Sequence, residues 1–328
     1  MKYVNHNLTE PLGIKSGLVL WVLFLTVTVK LSGQTGNRIM ERLTQAGYEN
    51  VKIVIDENQC YVSLENHVYR WDAMAVSEAL DLIENEIDGQ TEINLILMEN
   101  GMPQKLIRAN NSGIAESDTG MIDPFYSTGR ISVTHKTGNA FSKLKDLDYA
   151  NPSAGKIDII LYPQFYFENT RLDRFYETQV NIAPAVEFSP WEGGTVSGQV
   201  IFPIQNSLGY EGNHIRPGII SISQDFRLSD DFSTSLSAGN FTGCIYGIVS
   251  TTDIYLINGD FDLEIMAGLV GSSHFIDGEW IHSKLERFTS SVSLSWFWSR
   301  FNMELRAGGA RFINEDFGLF ASALRMFD

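Results

Sequence analysis

Cysteine is nearly absent: the chain has two, Cys60 and Cys244. Neither stands in a CxxC or Cys/His spacing, which argues against a zinc site, and their separation favours two unpaired thiols over a disulfide framework. Basic residues are scarce, with 24 Lys and Arg against 40 Asp and Glu and a net charge of −16. A nucleic-acid partner requires a basic stripe, so none is expected. Long apolar runs are missing as well. The one continuous run, Gly17 to Val29, falls short of the ~20 residues of a spanning helix. A membrane protein without such helices must cross as a closed β-barrel. No phosphate loop, nucleophile elbow or metal motif occurs, so no cofactor, metal or catalytic set is expected.

Positive charge at Lys2 and Lys15, the apolar run, and the small polar stretch from Leu31 to Gln34 have the layout of an export signal over residues 1–34. No cysteine follows the run directly, which argues against a lipoprotein. Residues 35–109 read as a small α/β domain in the order α-β-β-α-β-β. Ile39, Leu43 and Ala46 lie at helical spacing before a capping Gly47, and Asp72 is placed to cap a second helix striped by Ala75, Val76, Ala79, Leu80 and Ile83. Strands are expected over Val51–Ile55, Cys60–Glu65, Glu92–Met98 and Gln104–Arg108, with Asn100-Gly101 as a hairpin turn. Residues 110–155 are rich in Asn, Ser, Gly, Asp and Thr and read as a linker, with one isolated strand at Ile131–Thr134.

The rest of the chain, 156–328, alternates apolar and polar residues in about ten segments, the pattern of amphipathic strands. In Tyr176–Phe188 the residues Thr178, Val180, Ile182, Pro184, Val186 and Phe188 fall on one face, opposite Glu177, Gln179, Asn181 and Glu187. Phe288, Val292, Leu294, Trp296 and Trp298 likewise oppose Thr289, Ser291, Ser293 and Ser295. Either a half-buried soluble sheet or a transmembrane barrel gives this pattern. Turn lengths separate the two readings. Short turns at Trp191–Gly194, Ser229–Asp231, Asn258–Asp260 and Ser299–Arg300 alternate with longer polar ones, as in outer-membrane barrels. Aromatics gather at the short turns: Phe188, Trp191, Phe226, Phe232, Tyr255, Phe261, Trp298 and Phe301, with Phe327 at the same level. They read as a membrane-interface girdle.

The expected fold is therefore mostly β: an outer-membrane antiparallel barrel of about ten strands, preceded by a periplasmic α/β domain. Its lumen would be lined by Glu177, Gln179, Asn181, Gln199, Asp225, Arg227, Asp262, Glu264, Asn302, Glu304 and Arg306. In so narrow a bore these groups either pair and plug the interior or line a path for a glycan.

Three stretches carry a family resemblance: LTQAGYENV from Leu43 to Val51, VSLENHVYR from Val62 to Arg70, and ARFINEDFG from Ala310 to Gly318. They resemble the opening helix-to-strand element, a following strand and the closing hairpin of the YjbH/GfcD-type exopolysaccharide and capsule proteins. The resemblance implies the outer membrane of a Gram-negative bacterium, with membrane lipid, exopolysaccharide and other export-system proteins as partners. It also implies an accessory or structural part in secretion. Two other classes stay open. A hydrolase would place its site in the outer loops, where His214, His274 and His282 lie, with Asp277 and Glu279 near the last two. A soluble two-sheet binding protein would bury the apolar face in a core.

Overall fold

The structure is a computed structural model and describes residues 33–56, 58–87, 91–110, 131–169, 176–208, 213–241, 244–257, 261–276, 278–298, 301 and 303–325. Residues 1–32, most of the expected export signal, and with them Asn302, Asp277 and Phe327, lie outside the described residues.

A small sheet is built first. Helix α1 (residues 33–45) leads into strands β1 (Glu49–Asp56) and β2 (Gln59–Glu65). Helix α2 (Asp72–Glu84) crosses to β3 (Glu92–Glu99) and β4 (Met102–Asn110). These four strands lie in the order β1-β2-β3-β4, with β2 and β3 parallel and the other pairs antiparallel. Ile39 and Leu43 of α1 and Ala75, Ala79, Leu80 and Ile83 of α2 pack on one face, against Val62, Leu64, Ile93, Leu95 and Leu97. Gly47, at φ +95°, ends α1, and Tyr48 N–H bonds back to Leu43 O at 3.1 Å. Asp72 is the first residue of α2 and not its cap; the cap position is Trp71, which makes no side-chain bond. Asp72 instead sits at the positive end of the helix and accepts from Asn66 at 3.0 Å.

Residues 131–155, expected as part of a linker, belong to this small sheet. β5 (Ile131–Thr134) pairs with β4. Helix α3 (Gly138–Ser142) brings Ala140, and the chain beyond it Leu144, onto the second face, against Ile96, Met98 and Leu106. β3 is thus covered on both sides. That explains its unbroken burial from Ile93 to Met98, a run that alternation alone would not give.

The large sheet follows as a meander of β6 (Ile157–Glu168), β7 (Glu177–Phe188), β8 (Gly194–Asn206), β9 (Arg216–Ser229), β10 (Phe232–Asn240), β11 (Ile245–Leu256), β12 (Phe261–Ile276), β14 (Arg287–Trp298), β15 (Met303–Arg311) and β16 (Phe317–Arg325). Every neighbouring pair is antiparallel. β13 (Glu279–His282) folds back on the far end of β12 as a hairpin outside the main path.

One departure from expectation stands out. The path ends at β6 and β16, and among the described residues these two do not pair, so the ring expected from the sequence is an open sheet here. Side-chain patterning fixes which face each strand presents but carries no term for which edges meet. Burial follows the two faces expected from the alternation and runs opposite to that of a soluble sheet. Along β7, Glu177, Gln179, Asn181, Ala183 and Ala185 are buried, while Ile182 and Val186 are exposed. In β14, Val292 is 50 % exposed and Ser293 is 1 % exposed. Leu319 of β16 reaches 91 %.

Candidate functional site at the junction of the two sheets

The expected lumen residues fall into separate groups on the polar face. In the first strands, Gln179 donates to Asn181 at 3.1 Å and Asn181 to Gln164 at 3.1 Å. Gln199, also buried, accepts from Ile219 N–H at 3.4 Å. Across the later strands, Arg306 bonds to Glu264 and donates to Ser293 Oγ at 3.0 Å. Asp262, in register with Tyr255 and Ser295, and Glu304, in register with Phe297, lie on the same face as this pair. Much of the polar face is thus satisfied by its own members, the arrangement expected where charge is withdrawn from water.

Asp225 and Arg227 do something else: they join the two sheets. Arg227 donates to His135 O at 2.9 Å, to Gln104 Oε1 at 3.3 Å, and to the carbonyls of Ser229 and Asp230 in its own turn. Asp225 accepts from Asn100 Nδ2 at 3.0 Å. The Asn100-Gly101 turn, with positive φ at both residues as its tight geometry needs, also accepts from Gly193 N–H at 2.6 Å. Asp230 receives the Thr137 and Gly138 N–H groups at 3.0 and 2.9 Å, capping α3 from outside. So two short turns of the large sheet, Trp191–Gly194 and Ser229–Asp231, are held against the small one.

Behind this contact stands Glu65. It is buried and accepts from Asn100 N–H at 2.6 Å, Gly101 N–H at 3.1 Å, Asn50 Nδ2 and Ser153 Oγ. Burial by itself would raise the Glu65 carboxyl, but the bonds from His67, Gly101 and Asn50 outweigh it and hold the pKa below the usual value. The hydrogen bond to Glu65 in turn raises the pKa of His67 against the opposing effect of desolvation. His135 goes the other way: burial, then Lys105 and Arg227, bring it down to about 4.

Two cavities open at the junction. One of about 410 Å³ lies between Glu65, His67, Asp72, Glu99, Lys105 and His135. The other, about 180 Å³, reaches the polar face of the large sheet at Asp225, Ser233, Ser235 and Asp253. Glu99, Gln104 and Tyr255 line both, so together they form one cleft.

The aromatic residues divide. On the apolar face Phe261 stacks on Trp296 at 6.0 Å, Trp296 on Trp298 at 5.3 Å, and Phe301 meets Trp298 edge-on at 4.5 Å. Phe188, Phe226 and Phe232 share that face by register, and Trp191 donates to Gln224 near the same edge. Tyr255 does not join them. It pairs with Asp262 on the polar face and stacks on His135 at 4.0 Å. Its place in β11, one residue from the apolar-facing Ile254, decides this, because successive side chains of a strand point to opposite sides. His274 and His282 sit on the β12–β13 hairpin with Trp280, away from the junction. Among the described residues, His214, His274, His282 and Glu279 are not among those that line the cleft. Glu65, Asn100, Gln104, Asp230 and His135 act at the junction without a sequence signal for it. Asn100-Gly101 is visible in sequence as a turn, but nothing local shows what a turn touches.

The polypeptide is thus a mostly-β protein: a large antiparallel sheet, polar on its buried face and apolar on its exposed one, tied at its short-turn edge to a smaller sheet. Its family follows from comparison. The family model of YjbH, described as exopolysaccharide biosynthesis protein YbjH, matches residues 26–217. The chain belongs to this family. No curated protein and no solved structure matches it.

Proposed function

We propose that the chain is an outer-membrane β-barrel whose small sheet is a periplasmic α/β domain, and that it serves exopolysaccharide secretion as an accessory or structural component. One observation carries this reading: the faces of the large sheet are inverted relative to a soluble protein. Leu161, Phe165, Ile182, Val186, Phe202, Ile220, Val292 and Leu319 are all exposed, while Asn181, Gln199 and Ser293 are buried. A contiguous apolar surface on this scale has no stable state in water and a natural one in hydrocarbon. The Phe261–Trp296–Trp298–Phe301 strip at the short-turn edge supports it, since amphipathic rings gather at the headgroup level.

In a bilayer no strand edge can stay unpaired. β6 and β16 therefore close on each other in this reading. They are the first and last of ten strands on an antiparallel path, and run in opposite directions as closure requires. The short-turn edge, with the small sheet attached, then faces the periplasm. Membrane fractionation followed by a gel run with and without heating tests this. The expected result is a detergent-resistant band in the outer-membrane fraction that shifts on heating. A well-folded mature protein that stays in solution without detergent refutes it.

A further inference from the structure

The small sheet is held on one particular face of the large one. Asp225, Arg227 and Tyr255, the strand residues that grip it, all belong to the polar face. Arg227 pairs with Ser233, Ser233 with Asp253 and Asp253 with Glu264, which makes one row of side chains on that face. Tyr255 and Asp262 stand in the next row. Here Asn100 donates to Asp225 at 3.0 Å, Arg227 donates to Gln104 at 3.3 Å, and His135 stacks on Tyr255 at 4.0 Å. Met102 and Gln104 of the small sheet close off a chamber of about 180 Å³ whose other walls include Ser233, Ser235 and Asp253.

The edge of the large sheet is stepped at this point. Gly194 pairs with Gln224, so the β7–β8 turn ends level with Asp225, while β9 runs on towards Asp230 for roughly 17 Å at ~3.4 Å per residue. The small sheet occupies the step. Asn100 O meets the shorter rim at Gly193 N–H, and Asp230 on the longer one caps α3. In a closed barrel the polar face is the inner wall, so a unit gripped there lies under the lumen. Ten strands ~4.8 Å apart and tilted by ~40° give a ring roughly 63 Å around and roughly 20 Å across. A folded unit of roughly 100 residues, with a radius of gyration of about 13 Å, is wider than that opening.

We propose that the small sheet is a plug: docked, it shuts the periplasmic mouth of the lumen, and released, it opens a path for small cations. This role rests on the barrel reading given above and gives the junction a function within it. The two sheets share no apolar core, because both apolar clusters of the small sheet are built from its own residues, none beyond Ala150. Hydrogen bonds and one ring stack hold the contact, and domains joined in this way move relative to each other without unfolding. Cations are favoured because Asp253, Asp262, Glu264 and Glu304 outnumber Arg306 on the polar face of β11 to β15.

Potassium efflux from vesicles that hold the full-length protein tests the plug. Arg227→Met is combined with Thr137→Cys and Asp230→Cys in a Cys244→Ser background. Thr137 Oγ1 lies 3.3 Å from Asp230 Oδ1, so the two introduced thiols meet when the plug is seated, and the buried Cys60 stays out of the reaction. Wild type should leak slowly. The reduced variant should release potassium at least tenfold faster, and mild oxidation, which joins the two thiols, should return it to the wild-type rate. Wild type that leaks as fast as the reduced variant, a reduced variant that stays tight, or a verified crosslink that leaves efflux unchanged overturns the proposal. Thiols that fail to join in the pair variant that retains Arg227 overturn it too. A heat-shifted band in each variant separates an opened mouth from a lost barrel. If wild type gives no such band, the barrel reading fails and the plug with it; if the band is present and wild type leaks, the plug alone fails.

Discussion

Val292 offers the sharpest test of the medium around the large sheet. It sits near the middle of β14 and is 50 % exposed. Trp296, in the aromatic strip, lies four positions further on. At ~3.4 Å per residue that is roughly 14 Å along the strand, and a ~40° tilt reduces it to roughly 10 Å of depth. The apolar band of such a barrel is ~25 Å tall, so Val292 falls close to the midplane. Lysine there costs about 2–4 kcal/mol, or roughly 30- to 700-fold in the unfolding equilibrium. In water the same substitution, at a half-exposed position with no bonded partner to lose, would stay within about 0.5 kcal/mol. Val292→Lys thus distinguishes the two surroundings by a margin well above experimental error.

Its neighbour Ser293 would not serve. Ser293 is buried and holds Arg306 Nε at 3.0 Å beside Glu264. A lysine there meets a packed strand and a guanidinium, and destabilises in either medium. The informative comparison is therefore Val292→Lys against Val292→Thr, which keeps the branched shape and adds no charge. Reversible unfolding in lipid vesicles measures it, with assembly yield in cells as the alternative where refolding fails. A Val292→Lys protein within 0.5 kcal/mol of Val292→Thr would refute the lipid-facing assignment.

Three further outcomes are expected. Arg227→Met leaves the carbonyl of His135 and Gln104 without their donor, and should loosen the junction by about 1–3 kcal/mol; faster proteolysis within residues 33–155 of protein reconstituted in vesicles checks it, and an unchanged cleavage rate counts against the junction. His67 and His135 should give opposite pH dependences. The raised pKa of His67 makes its contribution full below its ordinary 6.5 and lost as pH rises through the folded value, so the margin of wild type over His67→Gln should shrink as pH rises above 6.5. The lowered pKa of His135, about 4, makes its contribution full above 6.5 and lost as pH falls towards 4, so His135→Gln should gain on wild type in acid; parallel curves for the two variants would contradict both environments. Replacing His274 and His282 together with alanine should leave polymer secretion unchanged, since neither reaches the junction, and a clear loss would revive a hydrolytic site on the β12–β13 hairpin.

What the sequence makes legible is what adjacent residues decide. Alternation in β7, β12 and β14 specifies two faces because the side-chain period of a strand is two, and the same residues appear opposed in the structure. Asn100-Gly101 specifies a tight turn because both positions need positive φ. Features set by distant residues are not legible in this way. Residues 131–155 look like a linker because Ala140, Phe141, Leu144 and Tyr149 are spread among polar residues with no period of their own. They become core only because β3 and β4 supply the other half of the packing. Tyr255 looks like a girdle residue because it lies beside a short turn, yet its parity within β11 turns it to the polar face, onto His135. The junction itself joins residues more than ninety positions apart, Thr137 with Asp230 and Asn100 with Asp225. Each is an ordinary polar residue in its own stretch, and only the docking of one sheet on the other gives it a partner. A cleft built from such pairs leaves no motif behind. The signal it could leave is a cavity shared by two sheets, and that belongs to the folded chain alone.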